Sequence, residues 1–450
     1  MTARPEPAGF TVDYLIEAGG RLHGRLRVPG DKSISHRSVM LGSLAHGETQ
    51  VSGLLEGEDV LATLAAFRAM GVEAEGPFDG SLRIRGAGLH GLRPPVAALD
   101  MGNSGTAMRL MAGILSGQVF DTVLTGDESL SRRPMGRVAE PLATMGARID
   151  TAPGGRPPLR IHGGQRLQGI DYRLPVASAQ VKSALLLAGL YAEGRTQVHE
   201  PAPTRDHTER MLRGFGYPVS TEGATISLNG GGTLTGCAID VPADISSAAF
   251  FLVGAAISPG SDVILEHVGI NPTRIGVLNI LRAMGASIDE LDRRMVGGEP
   301  VADLRVRGGH LRGITIPADQ VPLAIDEFPA LFIAAACAEG QTRLAGAGEL
   351  RVKESDRIAV MAEGLARLGV ETQETPDGIL IEGGGLGTKR VAAEIDSHGD
   401  HRVAMAFAMA ALRAGGRVRV RDCRNVATSF PGFPVLARHA GLAIRTAGPD

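Results

Sequence analysis

One pattern recurs six times along the 450-residue chain: an amphipathic helical run, then a glycine, then a short β-type run. The glycines follow the last apolar helical positions, at Gly71, Gly146, Gly216, Gly285, Gly369 and Gly441. Because glycine readily takes the left-handed conformation that ends a helix, each copy predicts a helix end leading into a strand. The copies recur roughly every 70 to 85 residues, which suits a complete α/β subdomain and is too long for a solenoid repeat.

A second helix of different character precedes each of these amphipathic helices. It is rich in Ala, Leu and Met, and its six copies are expected to begin at Ser33, Asn103, Ser178, Asp244, Asp326 and Asp400. A helix that is apolar nearly all round is a buried one. The sequence therefore predicts an α/β repeat with an inner helix, an outer amphipathic helix and strands between them.

Three such repeats in each half of the chain predict two similar α/β domains, in line with the length. The first strand, Arg21 to Val28, precedes the first inner helix, so we expect the N-terminal segment to pair with the C-terminal half. The predicted domain I is residues 1–29 plus 243–450, and domain II is residues 30–242, with crossovers near Pro29 and Pro242.

Composition favours a protein that acts on small molecules. The formal net charge is -3, with 46 Lys and Arg against 49 Asp and Glu spread along the chain, so neither nucleic acid nor an anionic membrane is an expected partner. Three widely spaced cysteines argue for a reducing compartment and a cytoplasmic location. Residues Met1 to Gly9 lack the apolar core of a signal peptide, and runs such as Ala184 to Leu190 are too short to span a bilayer. Nothing demands an oligomer, so a monomer is expected.

The stretch Pro29 to Arg37, P-G-D-K-S-I-S-H-R, combines two cationic side chains, two hydroxyls and a histidine at a predicted helix start. Such a start is suited to a phosphorylated or carboxylated small molecule. The other inner helices also begin with polar and partly cationic turns, among them Ser178 to Lys182. If all six turns face one wet cleft between the domains, their helix dipoles make that cleft an anion-binding site.

Two of the charged motifs have more than one interpretation. Gly30 to Ser33 resembles a phosphate-binding P-loop, but Asp31 stands between the glycine and the lysine, and a solvated turn remains an alternative. The charged run Arg351 to Arg357, taken alone, is more usually an exposed helix start, but its spacing also allows Lys353 and Arg357 to share a helical face.

Two further clusters favour structural roles. The spacing of His398, Asp400 and His401 matches no known metal motif, and Arg205-Asp206-His207 is more typical of a salt-bridged turn than of a catalytic dyad. The three cysteines lie among apolar neighbours or beside strands, where inert thiols are expected.

Several long motifs, in order over nearly the whole chain, resemble the 5-enolpyruvylshikimate-3-phosphate synthase family. They are Gly30 to Arg37, Gly102 to Arg109, Arg133 to Arg137, Arg351 to Arg357 and Asp400 to Arg402. Details at Ala177 to Lys182, Thr204 to Thr208 and Ala427 to Pro431 look like the bacterial class II branch. The resemblance implies the enolpyruvyl transferase fold, an inside-out α/β barrel arrangement with three βαβαββ-type repeats in each domain and an active site in the cleft between the domains.

The resemblance also implies an activity. Members transfer the enolpyruvyl group of phosphoenolpyruvate to the 5-hydroxyl of shikimate 3-phosphate and release phosphate, a step of the shikimate pathway to chorismate and aromatic amino acids, with no metal or organic cofactor. The residues that would bind shikimate 3-phosphate are Lys32, Ser33, Arg37, Ser178, Ala179, Gln180, Arg205, Asp326 and Lys353. Those that would bind phosphoenolpyruvate are Lys32, Gly105, Arg133, Gln180, Arg357 and Arg402.

Addition followed by elimination needs acid and base groups, for which Lys32, Asp326 and Glu354 are the candidates. Our prediction is that Glu354 protonates the methylene carbon and Asp326 handles the hydroxyl proton, with the assignment among the three left open. Many family members have Lys where this chain has Ser429. Glyphosate-tolerant class II members have Ala at the position of Gly105. Because Gly leaves more room there, we expect glyphosate to inhibit this protein. Two alternative hypotheses remain. One is the related UDP-N-acetylglucosamine enolpyruvyl transferase, which shares the fold, and the other is a binding scaffold without chemistry.

Overall fold

The computed structural model of the protein describes residues 12–388 and 392–448. The helices in those ranges are α1 (Lys32–Leu44), α2 (Glu58–Ala69), α3 (Gly105–Ser116), α4 (Glu128–Ser131), α5 (Gly136–Thr144), α6 (Ala179–Gly189), α7 (His207–Gly214), α8 (Ile245–Ile257), α9 (Gly276–Ala283), α10 (Phe328–Cys337), α11 (Arg357–Arg367), α12 (His401–Ala410) and α13 (Phe433–His439). Single 3-10 turns occupy Ala318–Gln320, Gly348–Val352 and Arg424–Thr428.

The strands in the same ranges are short. They are β1 (Asp13–Ile16), β2 (His23–Leu26), β3 (Glu48–Ser52), β4 (Glu73–Phe78), β5 (Ser81–Arg85), β6 (Leu99–Asp100), β7 (Thr122–Thr125), β8 (Arg148–Ala152), β9 (Arg156–His162), β10 (Asp171–Arg173), β11 (Arg195–His199), β12 (Ser220–Glu222), β13 (Thr225–Asn229), β14 (Ala238–Asp240), β15 (Asp262–Gly269), β16 (Ser287–Val296), β17 (Glu299–Arg307), β18 (Gln341–Leu344), β19 (Thr372–Thr375), β20 (Gly378–Glu382), β21 (Ala393–Asp396), β22 (Val418–Arg421) and β23 (Ile444–Ala447).

The chain divides into two compact units. Unit 2 comprises Pro29–Pro242 and Arg294–Val301, and unit 1 comprises the described residues of Met1–Val28, Ala243–Arg293 and Ala302–Asp450. The sequence had assigned the short segment Arg294–Val301 to the other domain. It is the tip of the hairpin formed by β16 and β17, and it groups with unit 2 although the rest of the hairpin belongs to unit 1.

Unit 2 repeats one sheet topology. Its sheets have the strand orders β14-β3-β5-β4, β6-β7-β9-β8 and β10-β11-β13-β12. In each sheet the first two strands are parallel and the other pairs are antiparallel. The last strand of the unit, β14, completes the sheet of the first repeat, so the two ends of the unit are joined by backbone hydrogen bonds.

Among its described residues, unit 1 also contains three sheets, of which one has three strands and two have four. Its sheets have the orders β16-β17-β15-β2, β18-β20-β19 and β21-β22-β1-β23. The predicted pairing of the N-terminal segment with the C-terminal half is confirmed, because β2 runs parallel to β15 and β1 lies antiparallel between β22 and β23. The predicted first strand, Arg21 to Val28, is however the second, β2, because β1 precedes it and completes the sheet of β22 and β23.

The predicted inner helices form the core of each unit. Helices α1, α3 and α6 contribute to the core of unit 2, and α8, α10 and α12 to that of unit 1. Every residue of α8 is buried. Close approach requires small residues: a Cβ added to Gly113 of α3 would lie 2.3 Å from the Ala184 carbonyl oxygen of α6. Glycine at this position thus lets the two inner helices pack with their backbones nearly touching.

The predicted helix ends are confirmed. The six glycines that follow α2, α5, α7, α9, α11 and α13 all have left-handed φ values, from 78° at Gly216 to 112° at Gly441. The inner helices begin within two residues of the predicted positions, and five of the six have an Asp or Ser N-cap whose side chain accepts a backbone N–H. The exception is α10, which begins after Glu327 without a side-chain cap.

None of the helices in the described ranges is long and apolar enough to cross a bilayer.

Candidate active site

The start of α1 is held by acidic side chains. Asp31 accepts the Ile34 backbone N–H at 2.9 Å, so its carboxylate occupies the position at the helix N-terminus that a P-loop would leave for phosphate. Lys32, in the first turn, is ion-paired with the buried carboxylate of Asp59 in α2. The ammonium is therefore fixed in place while remaining partly accessible, since about a fifth of its side chain, 21%, is exposed.

Arg37 lies one turn further along α1 and is only 4% exposed. It donates from Nε to Thr208 Oγ1 at 2.7 Å, from Nη2 to Ser183 Oγ at 2.8 Å and from Nη1 to the Ser33 carbonyl at 3.0 Å. Burial lowers the pKa of Arg37 to about 10, which still leaves the guanidinium charged at neutral pH. The structure thus places two predicted ligands of shikimate 3-phosphate, Ser33 and Arg37, in direct contact.

His36 links the starts of two inner helices. Its ring lies 2.8 Å from Thr63 Oγ1 through Nδ1 and 3.3 Å from Ser104 Oγ through Nε2. Burial first, and then Lys32 and Arg37, hold the pKa of His36 well below its usual range, so the ring is neutral. Ser104 is the N-cap of α3, and therefore His36 couples the turn before α3 to α1.

The turn before α3 carries Gly105 beside two arginines. Arg133 is buried and donates from Nη2 to Asn103 Oδ1 at 2.7 Å. A Cβ built on Gly105 would lie 3.0 Å from Nη1 of Arg109 and 3.2 Å from Nη1 of Arg133. The predicted phosphoenolpyruvate ligands Gly105 and Arg133 are therefore adjacent, and the missing side chain leaves space for both guanidinium groups.

The start of α6 meets the same turn. Gln180 donates from Nε2 to Thr106 Oγ1 at 2.9 Å and accepts a hydrogen bond from Arg109 Nη1. Ser178 caps the helix, with Ala179 as its first residue. Gln180 thereby joins Gly105 and Arg133 in one cluster of unit 2.

The Arg205 turn confirms the salt-bridged interpretation. Asp206 Oδ2 accepts from Arg210 Nε at 2.8 Å, and His207 Nδ1 lies 2.8 Å from Glu299 Oε1 in the hairpin tip of unit 2. Asp206, His207 and Glu299 are also a group of possible metal ligands within the described residues. Arg210 already offsets the charge of Asp206, which disfavours a cation there. Arg205 itself is half-buried.

In unit 1 the predicted residues converge on Asp326. Its Oδ1 lies 3.7 Å from Lys353 Nζ and 3.5 Å from Arg357 Nη1. Its backbone carbonyl accepts a hydrogen bond from Arg402 Nη1 at 3.0 Å. Lys353 and Arg357 therefore lie beside the carboxylate of Asp326, and Arg402 holds its backbone carbonyl.

Glu354 belongs to the same cluster, since its Oε2 accepts from Arg357 Nη2 at 2.6 Å. Arg357 is buried and also donates from Nε to Asp400 Oδ2 at 2.8 Å. Burial alone would raise the pKa of Asp400, but the attraction of Arg357 outweighs burial and holds that pKa below its usual range. Asp400 is thus a buried anion that anchors Arg357 and caps α12.

One local prediction is wrong. Lys353 and Arg357 do not share a helical face, because α11 begins only at Arg357 and Lys353 is in the extended turn before it. The two cations reach Asp326 from different backbone conformations. His398 is half-exposed, whereas Asp400 is committed to Arg357 and Ser355, so these residues do not make up a metal cluster.

The cysteines are poor nucleophiles. Burial raises the pKa of Cys337 to about 12 and also raises the pKa of Cys237 and Cys423. Since the thiolate is the reactive form, the prediction of inert thiols agrees with their surroundings.

Three contributors had no assigned role in the sequence prediction. Arg109 could have been found, because it follows Gly105 at helical spacing in the same motif. The ion pairs of Asp59 and Asp400 could not be predicted, although Asp400 was named as a helix start, since the partners are far along the chain. Lys32 and Asp59 are 27 positions apart, and Arg357 and Asp400 are 43 apart.

Comparison with known proteins shows similarity over nearly the whole chain. A profile of the family described as EPSP synthase (3-phosphoshikimate 1-carboxyvinyltransferase) matches residues 16–435. The chain is 68% identical over 433 residues to the 3-phosphoshikimate 1-carboxyvinyltransferase of Methylococcus capsulatus, covering 96% of this chain and 98% of that protein. It is 66% identical over 435 residues to the protein of the same name from Nitrosococcus oceani, covering 97% of each.

Solved structures of similar proteins have the same fold. EPSP synthase from Acinetobacter baumannii matches with a TM-score of 0.87 at 60% identity, covering 97% of this chain and 100% of that chain. The enolpyruvyl transferase NikO from Streptomyces tendae matches with a TM-score of 0.81 at 17% identity, covering 98% of this chain and 100% of that one, which shows a shared fold alone. The predicted enolpyruvyl transferase fold is therefore confirmed.

Proposed function

This chain belongs to the EPSP synthase family, and we propose that it transfers the enolpyruvyl group of phosphoenolpyruvate to the 5-hydroxyl of shikimate 3-phosphate, releasing phosphate. The observation that carries the proposal is the cluster around Asp326, in which carboxylates able to move protons lie beside cations able to bind anions. The two substrates together carry about six negative charges at neutral pH, since each has a carboxylate and a phosphate.

Binding of shikimate 3-phosphate is assigned to residues from both units. In unit 2 these are Lys32, Ser33, Arg37, Ser178, Ala179, Gln180 and Arg205, and in unit 1 they are Asp326 and Lys353. Arg37 donates to the backbone carbonyl of Ser33 at the start of α1, and Ser178 caps the start of α6. Both contacts support the assignment, since guanidinium groups and helix N-termini are suited to phosphate. That the site occupies a cleft between two domains stays a prediction.

Binding of phosphoenolpyruvate is assigned to Lys32, Gly105, Arg133 and Gln180 with Arg357 and Arg402. Arg133 is adjacent to Gly105, and Arg357 and Arg402 both contact Asp326. Arginine forks are suited to the planar carboxylate and to the phosphate of this substrate. Arg109, which lies between Gly105 and Gln180, completes the cationic lining.

The chemistry proceeds by addition and elimination. In the addition, the 5-hydroxyl oxygen bonds to C2 of phosphoenolpyruvate, the hydroxyl proton leaves and the methylene carbon gains a proton, which gives a tetrahedral intermediate. In the elimination, that carbon loses a proton and phosphate departs, so the enol ether forms. Asp326 accepts the hydroxyl proton, Glu354 serves the methylene carbon, and Lys32 is the remaining candidate for either transfer.

Glu354 is ion-paired with Arg357, so it must gain a proton before it can donate one. An anionic substrate bound to Arg357 would offset the guanidinium charge and add negative charge beside Glu354. Both changes favour the protonated carboxyl group. Substrate binding itself would thus prepare the acid.

The test of the function is phosphate release from phosphoenolpyruvate. We expect release with shikimate 3-phosphate and none with UDP-N-acetylglucosamine. Release only with the latter would identify the related transferase, and binding of shikimate 3-phosphate without any release would identify a scaffold. The raised pKa of each cysteine already disfavours a thiol-dependent transferase.

Glyphosate is expected to inhibit the enzyme, and Gly105→Ala is expected to raise its inhibition constant about tenfold or more, with a smaller rise in KM for phosphoenolpyruvate. The new methyl group would press on Arg109 and Arg133, and a tenfold effect requires only about 1.4 kcal/mol. The measurement is inhibition against phosphoenolpyruvate. Gly309→Ala is the control, since no heavy atom lies within 4 Å of a Cβ there. Equal inhibition of wild type and Gly105→Ala would contradict the prediction.

A cytoplasmic location and a monomeric state complete the proposal, and both rest on the sequence composition described above.

A further inference from the structure

Lys182 is a cation that the proposed reaction does not use. The sequence placed it in a polar first turn facing a wet cleft, but that expectation is wrong, because the residue is 0% exposed. Its Nζ lies 3.0 Å from Glu200 Oε2 and 2.7 Å from Glu209 Oε1. A buried ammonium between two carboxylates cannot serve as a substrate ligand in this conformation.

The two carboxylates stand at the two ends of one segment. Glu200 directly follows β11, and Glu209 is in the first turn of α7. Between them lies Arg205, five residues after the first and four before the second. The hydroxyl of Thr204 also donates to Glu200. The single ammonium of Lys182 therefore forms ion pairs at both ends of the segment that contains Arg205.

The same segment reaches Arg37. Thr208 Oγ1 accepts from Arg37 Nε at 2.7 Å and lies 2.7 Å from Ser183 Oγ. Although burial lowers the pKa of Arg37, the carboxylate of Glu209 is the largest influence that opposes this fall. Glu209 thus interacts with Lys182 on one hand and with the charge of Arg37 on the other.

Electrostatics makes Lys182 necessary for this arrangement. Burial raises the pKa of Glu200, and the charge of Lys182 opposes that rise. Without the ammonium, two buried carboxylates would face each other and could not both stay ionised. One would take up a proton or move away, and the turn would lose the geometry that positions Arg205 and Thr208.

We propose that Lys182 is a positioning residue that holds the Glu200–Glu209 segment so that Arg205 and Arg37 are preorganised for the phosphate of shikimate 3-phosphate. This inference rests on the proposed function, because it takes those two arginines as ligands of that substrate. Lys182 contributes to substrate affinity by fixing the two cations rather than by touching the substrate.

The experiment compares the wild type with two variants of the full chain. Lys182→Met removes the ammonium and keeps the length of the side chain. The triple variant Lys182→Met, Glu200→Gln, Glu209→Gln also removes the uncompensated negative charge, so it provides folded enzyme even if the single variant does not fold. KM is measured because it does not depend on the fraction of folded enzyme. We expect KM for shikimate 3-phosphate to rise about tenfold or more in both, and KM for phosphoenolpyruvate at saturating shikimate 3-phosphate to stay within about threefold.

Arg195→Met is the control. Arg195 begins β11, its side chain is exposed and donates to Ser227 Oγ in β13, and its loss should leave both KM values unchanged. Equal rises in both KM values would indicate general loosening and overturn the proposal, as would a triple variant with the wild-type KM for shikimate 3-phosphate. Failure of the wild type to release phosphate would instead count against the proposed function.

Discussion

Replacement of Glu354 with glutamine is expected to lower kcat about 10²-fold to 10⁴-fold while both KM values change less than about threefold. The glutamine oxygen can still accept the hydrogen bond that Glu354 Oε2 accepts from Arg357 Nη2 at 2.6 Å. Binding and local structure therefore survive, and only the capacity to transfer a proton is lost. Steady-state phosphate release measures the effect.

Exchange with solvent deuterium identifies the step. In the proposed addition, the methylene carbon of phosphoenolpyruvate becomes a methyl group before a proton is removed, so reversal in deuterated water introduces deuterium. The Glu354→Gln variant should lose this exchange in proportion to kcat. Exchange at the wild-type rate would assign the proton at this carbon to Lys32 or Asp326.

The control for this prediction is Glu363→Gln. Glu363 is on the outer helix α11, about half exposed at 51%, and pairs with Arg367 on the surface. Exposed pairs contribute little, so kcat should stay within about twofold. A comparable loss in both variants would mean that charge on this helix in general, rather than Glu354, determines the rate.

Arg357→Met is expected to lower the free energy of unfolding by about 3 to 5 kcal/mol at neutral pH. The variant leaves Asp400, which is 0% exposed, without the guanidinium that donates to it at 2.8 Å. Removing one partner of a buried ion pair leaves the other charge uncompensated, which costs more than the pair itself contributed. Urea unfolding followed by far-UV circular dichroism measures the loss. Arg367→Met, on the same helix, removes an exposed ion pair and should cost less than about 1 kcal/mol.

The pH dependence of that loss has a defined sign. In the wild type the pKa of Asp400 is depressed, so its contribution is present above the unfolded value of about 3.9 and is lost as pH falls. In the variant, burial without Arg357 raises that pKa, and the penalty disappears once both states are protonated. The difference between the two proteins should therefore shrink toward pH 4. A difference that is the same at pH 4 and pH 7 would contradict this explanation.

Features that depend on neighbouring residues were predictable. The left-handed glycines after the outer helices follow from local backbone preference, and the N-caps of the inner helices, such as Asp31, follow from short-range hydrogen bonds. The predicted helical face shared by Lys353 and Arg357 failed, because the Asp356 cap starts α11 four residues later than the charge spacing suggested.

The unit to which Arg294–Val301 belongs could not be predicted from the sequence. Its strands are local, but the unit to which the tip belongs is decided by contacts such as that of Glu299 with His207, 92 positions away. No periodicity or cap in the hairpin carries that information.

From the sequence alone came the six repeats, the burial of the inner helices and the motifs that define the family, since each depends on composition and spacing within about one repeat length. Only the tertiary structure decided which charges are buried together. It joined Lys32 to Asp59, Lys182 to Glu200 and Glu209, and Arg357 to Asp400. The physical reason is that an ion pair forms where burial makes an unpaired charge costly, and burial is a property of the packed chain.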